Sequence, residues 1–264
     1  MRPIPVLMYH HVNPHRGDLV TVTPETFEGQ MRYLYEQSYR TLKLDELLAF
    51  IYGKLILKEK AVVVTFDDGW LDNYSCAFPV IRKYQINAAI FIVTDRTERA
   101  SESAAEIPFF VPTHKESKLL ITQGNEHKVV LNWELIREMS DSGHVEFYSH
   151  TKSHIKCDRL PENELMQELQ ESKRVIEKKL GKPCPYLCWP YGKFNELATS
   201  LAKDAGYKAL FTTDRGVVKI HSDPFAISRI VIKDNIAWFK KRMLIYTNSS
   251  LSHFYLRLKD TKIF

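Results

Sequence analysis

The stretch AVVVTFDDG, residues 61–69, runs a string of apolar, largely β-branched residues into two adjacent aspartates and a glycine. Such a run suits a strand buried on both faces, as in a parallel sheet covered by helices. Successive strand side chains point to opposite faces, so Asp67 and Asp68 are expected to face differently and to do different work.

Six further apolar runs read as buried strands, at 4–8, 88–93, 145–148, 186–189, 209–211 and 227–232. Helical patterns lie between several of them. One opens at Pro24 and carries Phe27, Met31, Leu34 and Tyr35 at helical spacing; others cover 133–142, 161–180 and 195–205, ending at Gly143, Gly181 and Gly206. This alternation predicts an α/β barrel or an open α/β sheet, where polar residues following the strands gather at one face. A chain of 264 residues, 44% apolar and 26% charged, can build one large core. We expect a single domain over 1–264, interrupted by a polar insertion at about 95–128 with a short apolar patch at 107–111, and a basic C-terminal segment, 233–264. From Lys233 onward there are seven basic and two acidic residues, which matches the whole formal charge of +5.

No apolar stretch is long enough to span a membrane. The start, MRPIPVLMYHHV, has proline and histidines where a secretory signal needs an apolar run, and Cys76, Cys157, Cys184 and Cys188 form no CxxC pair. Both features point to reduced thiols and a cytoplasmic protein, at the inner face of the membrane if the basic segment binds there.

Three more stretches carry chemistry. In SHTKSH, His150 and His154 stand four apart after the strand VEFY; on a helical turn both imidazoles would reach one metal ion. Alone they could be two surface histidines beside a turn. Together with an aspartate pair at another strand end they suggest a site of two histidines and one carboxylate, which leaves positions open for water and substrate, as hydrolytic zinc sites require. In CWPYGKFN, residues 188–195, Pro190 and Gly192 force a tight turn that can leave the Tyr191 amide free, while the rings of Trp189 and Tyr191 can line a sugar pocket. An ordinary strand-to-helix turn is the alternative there. LMYHHV closes a strand on His10 and His11, of which one at most is expected to enter the site.

Taken together, TFDDG (65–69), HTKSH (150–154) and WPYG (189–192) resemble the polysaccharide deacetylases of carbohydrate esterase family four, with their nodulation-type chitooligosaccharide deacetylase domain. The resemblance runs from Pro5 to about Ile232 and implies a distorted (β/α) barrel with fewer than eight complete strands. Two departures stand out. Cys188 occupies a position where the family often has an arginine, and the late L-x-x-H of the family is missing from the C-terminal third. An L-x-x-H does occur at Leu7 to His10, which resembles the circularly permuted subgroup that includes the biofilm poly-N-acetylglucosamine deacetylases. Arg229, in the strand SRIVI, is then the candidate substitute for the missing cation.

The resemblance implies removal of the N-acetyl group from an amino sugar of a glycan or of a lipid-linked surface-polysaccharide precursor. Asp68, His150 and His154 would hold a divalent metal, zinc by preference; Asp67 would be the base, His10 the acid that protonates the leaving amine, and the Tyr191 amide a donor to the oxyanion. Trp189 and Tyr191 would contact the sugar. The same parts could serve hydrolysis of another ester or amide bond, and a carbohydrate-binding barrel without catalysis is a third reading. Asp72 is expected to cap the next helix. After Asp234, an expected N-cap, Ile236, Phe239, Met243 and Tyr246 form one helical stripe and Lys240, Lys241 and Arg242 another. That cationic face is either solvated or set against an anionic membrane surface. No nucleic-acid motif accompanies the charge.

Overall fold

The run that opens on Ala61 is a strand, Ala61–Phe66, buried at all six positions. It is one of ten in a computed structural model that describes residues 1–102 and 111–260, the last three by backbone alone. In chain order these are β1 (Val6–Tyr9), β2 (His11–Val12), β3 (Thr21–Val22), β4 (Arg40–Thr41), β5 (Ala61–Phe66), β6 (Ala88–Ile92), β7 (Val145–Ser149), β8 (Tyr186–Cys188), β9 (Ala209–Arg215) and β10 (Ile227–Val231). Seven of them lie side by side and parallel in the order β1-β10-β9-β8-β7-β6-β5, and β5 pairs back to β1. The sheet is therefore a closed barrel. Short β4 holds the edge of β5 at Ala61 and Val62, and β1 holds it from Val63 to Phe66. The remaining strands, β2 and β3, form a separate two-stranded ribbon.

Around the barrel run α1 (Pro24–Glu36), α2 (Leu44–Ile51), α3 (Phe78–Lys83), α4 (Thr94–Glu102), α5 (His114–Thr122), α6 (Trp133–Asp141), α7 (Glu162–Leu180), α8 (Glu196–Asp204), α9 (Ile236–Tyr246) and α10 (Ser249–Asp260). No helix among the described residues is long and apolar enough to cross a membrane. Asn132, Asn195 and Asn235 each accept a backbone N–H of the first turn of α6, α8 and α9, caps worth about 1 kcal/mol apiece. Inside the barrel Phe91 packs on Phe211, with ring centres 5.0 Å apart. Beneath β1, Tyr9 stacks on Phe66 at 5.3 Å and sends its hydroxyl to Gln30 of α1.

Four local expectations are corrected. His150 and His154 are not on a helical turn, since Thr151 and His154 both have left-handed φ, 65° and 63°. Asp72 precedes a single π-turn (Asn73–Ala77) without capping it, because its carboxylate is taken by His11 and Asn13. The cap of α9 is Asn235; Asp234 instead accepts from the amide and hydroxyl of Thr23. Finally, Lys240 and Lys241 are exposed but Arg242 is half-buried, its guanidinium over the rings of Trp238 and Tyr255. The polar insertion is largely helical, through α4 and α5. Most of its apolar patch, 107–110, lies outside the described residues, as do the side chains of Lys259, Asp260 and Lys262.

One turn is sterically exacting. Gly192 has φ 63°, and a Cβ there would overlap Thr213 of β9. Gly192→Ala is expected to destabilise the protein by about 1–3 kcal/mol, through the backbone penalty and this overlap. Urea denaturation measures it, and an unchanged midpoint would contradict this account of the turn.

Candidate active site

In a parallel barrel every strand's carboxyl end opens on the same face. His10 follows β1, Asp67 and Asp68 follow β5, His150 follows β7, and Trp189 and Tyr191 follow β8. All of them border one cavity of about 230 Å³.

Asp67 is held from beneath by Arg229 of β10, which is 1% exposed. The guanidinium gives Nη1 to Oδ1 and Nη2 to Oδ2, both at 2.7 Å. Its other donors reach Thr212 O (2.8 Å), Thr65 Oγ1 (3.2 Å) and Cys188 Sγ (3.0 Å). All five N–H groups of the arginine are thus satisfied. Burial alone would raise the Asp67 pKa, but the charge and hydrogen bonds of Arg229 outweigh it and hold the carboxyl near 2. The thiol of Cys188 is small enough to leave room for a cation arriving from β10. Burial keeps that thiol protonated, with its pKa well above the usual value.

Asp68 turns elsewhere because its backbone is left-handed, with φ 72°. Its Oδ2 accepts from Trp70 Nε1 at 3.1 Å. Its Oδ1 faces His154 Nε2 at 2.9 Å and His150 Nε2 at 3.7 Å, yet is buried without a hydrogen-bond partner. His150 donates Nδ1–H to the Cys188 carbonyl at 2.8 Å, which leaves its Nε2 lone pair facing the aspartate. Burial lowers the His150 pKa to about 4, so the ring is neutral. Two imidazole nitrogens, of His150 and His154, converging on a carboxylate oxygen that has no hydrogen-bond partner among the described residues, with ligand atoms all within 4.8 Å, fit a divalent cation. A second cluster, Asp67, His150 and Cys188, meets the same spacing. It fits a metal poorly, since Asp67 is engaged by Arg229 and Cys188 is a protonated thiol.

The loop carrying the histidines is pinned rather than helical. Glu168 of α7 accepts the amides of Lys152 and Ser153, and Thr151 Oγ1 accepts the amide of His154. Of the seven non-glycine residues with positive φ among the described residues, Asp68, Thr151, His154 and Tyr191 are at this site, a concentration of backbone strain typical of functional positions.

His10 Nε2 lies 3.9 Å from Asp67 Oδ2. Its neighbour His11 faces away, stacked on Trp70 at 4.3 Å, bonded to Asp72 at 2.6 Å and to His114 at 3.1 Å. Tyr191 is 53% exposed, its ring 4.6 Å from that of His154. Trp189 differs from expectation: it is fully buried and Phe194 covers it at 5.6 Å, so it forms the cavity floor and cannot stack on a sugar. Its indole N–H has no partner. Reasoning from sequence missed Trp70, Arg96, His114, Lys118 and Thr213, which also line the cavity. Trp70 follows DDG directly and was findable as the group that orients Asp68. Arg96, His114 and Lys118 come from the insertion, where no local pattern signals a role.

Three residues that could hold an ion, beside a carboxylate held independently by an arginine, are the equipment of a hydrolase, and that is the class which fold and site define. The chain belongs to the polysaccharide deacetylase family, whose match covers residues 54–210. That span contains Asp67, Asp68, His150, His154, Trp189 and Tyr191, with His10 and Arg229 outside it. The family's deacetylases are metal-dependent, and Asp68, His150 and His154 are a group that could hold the ion. YxkH of Bacillus subtilis (strain 168), itself assigned to the polysaccharide deacetylases, is 26% identical over 234 residues, 89% of this chain and 73% of that one. The poly-β-1,6-N-acetyl-D-glucosamine N-deacetylase of Staphylococcus aureus (strain MSSA476) is 25% identical over 224 residues, 81% of this chain and 69% of that one. In fold the chain is similar to the Streptococcus pyogenes deacetylase PplD, solved in complex with acetate. The TM-score is 0.77 at 24% identity, covering 91% of this chain and 98% of that one.

Arg229→Met would strand Asp67 in the barrel and is expected to cost about 3–5 kcal/mol. Asp67→Asn combined with Arg229→Met should cost less than the sum of the two single changes, because no unpaired charge remains. Chemical denaturation of the four proteins gives the cycle; strictly additive losses would mean the pair is not coupled.

Proposed function

We propose that the chain hydrolyses the acetamide of an N-acetylated amino sugar in a glycan, releasing acetate and a free amine, with zinc held by Asp68, His150 and His154. One observation carries the reading. The two carboxylates of a single DD pair lie in one cavity with different partners, Asp67 tied by an arginine and Asp68 facing the imidazoles of His150 and His154.

Asp68, His150 and His154 would hold the zinc ion, which would supply a bound water with its pKa lowered from 15.7 toward about 7 and would polarise the acetyl carbonyl. Asp67 takes the proton of the attacking water. Arg229 occupies one site on each of its oxygens, and a carboxylate has about four, so acceptor capacity remains. The same arginine keeps Asp67 ionised and fixed in direction. His10, whose Nε2 lies 3.9 Å from Asp67 Oδ2, gives a proton to the sugar nitrogen as the C–N bond breaks. The Tyr191 amide donates to the developing oxyanion, and the exposed Tyr191 ring bears on the sugar. Trp70 fixes the orientation of Asp68 through its indole N–H. The S. aureus relative is named for poly-β-1,6-N-acetyl-D-glucosamine, which makes that polymer the first substrate to test. Exposed Leu251 and Phe254 on α10 support a peripheral contact with an anionic membrane as part of this proposal.

Metal content and acetate release from N-acetylglucosamine oligomers separate the roles. Asp67→Asn is expected to keep its metal and lose roughly 10²–10⁴-fold in turnover, and His10→Ala to lose a similar factor. Asp68→Asn should lose the metal itself. A chelator should abolish acetate release and zinc restore it. Full activity in Asp67→Asn, or chelator-resistant turnover, would overturn the assignment.

A further inference from the structure

A second cavity, of about 430 Å³, opens where the ends of β9 and β10 meet α9 and α10. It shares a wall with the catalytic one. On the segment before β3, Val20 borders the catalytic cavity, while Asp18, Leu19 and Thr21 border the second. On β9, Thr213 borders the first and Arg215 the second. The top of this wall is open, with Leu19 84% exposed.

Three cations line the second cavity: Arg215, Lys233 and Arg242. Among the described residues none of them has a carboxylate within salt-bridge distance. The two acids on the wall are occupied elsewhere. Asp18 accepts the amides of Val20 and Thr21 at 2.9 and 2.6 Å and the Thr21 hydroxyl at 2.9 Å. Asp234 accepts from Thr23 and faces Arg16. What holds two of them, Arg242 and Lys233, is aromatic. Arg242 lies 4.3 Å over the Tyr255 ring and 5.6 Å over Trp238, and Lys233 lies 5.9 Å over the same indole. A ring face positions a cation without neutralising it, and a stacked guanidinium keeps its in-plane N–H donors free. The cavity therefore presents three cations against two carboxylates whose acceptor sites are engaged elsewhere, an excess of positive charge beside the catalytic cleft.

We propose that this cavity is a subsite for a phosphate group carried by the glycan, bound by Arg242 and Arg215 while an acetylated residue of the same molecule occupies the catalytic cavity. The inference rests on the reading of the chain as a glycan deacetylase. Phosphate fits better than a sugar carboxylate because several convergent donors match its larger number of acceptor oxygens.

The test is calorimetric titration with N-acetylglucosamine 1-phosphate, with N-acetylglucosamine and glucuronic acid as comparators. It uses the full chain and its Asp68→Asn variant, in which phosphate cannot bind at a metal. Binding of the sugar phosphate is expected in both proteins, weakened by roughly 10- to 100-fold when Arg242→Gln is added, the loss of one charge-assisted contact. Lys241→Gln, on the exposed side of α9, should leave it unchanged. Binding that Arg242→Gln does not alter, binding lost in Asp68→Asn, or preference for glucuronic acid would overturn the proposal. So would Arg242-dependent binding to phosphatidylglycerol vesicles with none to the sugar phosphate, since the phosphate would then be a lipid headgroup. Circular dichroism of Arg242→Gln, with Arg215→Gln as a second variant, guards against misfolding. Acetate release from neutral N-acetylated oligomers is followed on the same wild-type preparation. Its absence counts against the deacetylase reading, whereas acetate release without sugar-phosphate binding counts against the subsite alone.

Discussion

A single buried guanidinium sets the geometry of this barrel's working face. Arg229 reaches from β10 to β5, β8 and β9 and leaves none of its donors unmatched. Taking such a charge out of water costs several kcal/mol, and its pairing with Asp67 offsets that cost without guaranteeing a surplus. What the pair does secure is direction. The two parallel N–H···O bonds lock the plane of the Asp67 carboxylate, so it cannot swing onto the neighbouring trio of Asp68, His150 and His154. Cys188 completes the arrangement by being small and protonated where a larger or charged side chain would collide with the cation.

The other half of the site depends on backbone held in an unusual conformation. Asp68, Thr151, His154 and Tyr191 all take left-handed φ, each at a cost of order 1 kcal/mol or more. Trp70 braces Asp68, and Glu168 fixes the histidine loop against α7. The same logic governs the first strand: Asp72 holds His11 turned away, and Asn73 bonds the His10 carbonyl, which leaves the His10 ring facing the cavity. Supporting contacts of this kind decide which of two adjacent residues faces the cavity.

Much of this was legible in the chain itself. All seven barrel strands announce themselves as apolar runs because a parallel barrel buries both strand faces. The end of β9 was not visible, since Thr213 to Arg215 are polar and exposed and pair only by backbone. α4 and α5 were hidden for a related reason: they are polar helices whose apolar contacts are few, and hydrophobic period is the main helical signal. The residues of the DD and H-x-x-x-H motifs were identifiable by type and spacing. Their conformation was not, because a spacing of four suits a helical turn and a strained loop equally. Trp189 was misjudged because aromatic character does not reveal which ring face a neighbour already covers. Arg229 could be nominated only by a vacancy at Cys188; that it satisfies every donor depends on four strands meeting, which no local pattern encodes.

The closure of the barrel through β1 has a consequence for how the protein comes to be. Leu7 pairs with Val64 on one side and with Ile230 on the other, so the strand made first must wait for almost the last one before the ring is complete. Contacts so distant in sequence are slow to form, and the unclosed sheet keeps two exposed edges during synthesis. Until β10 docks, Asp67 also lacks its arginine and is a carboxylate facing an apolar interior. Assembly of the Asp67–Arg229 pair and completion of the ring are therefore one late event, and a nascent chain released before residue 229 has neither.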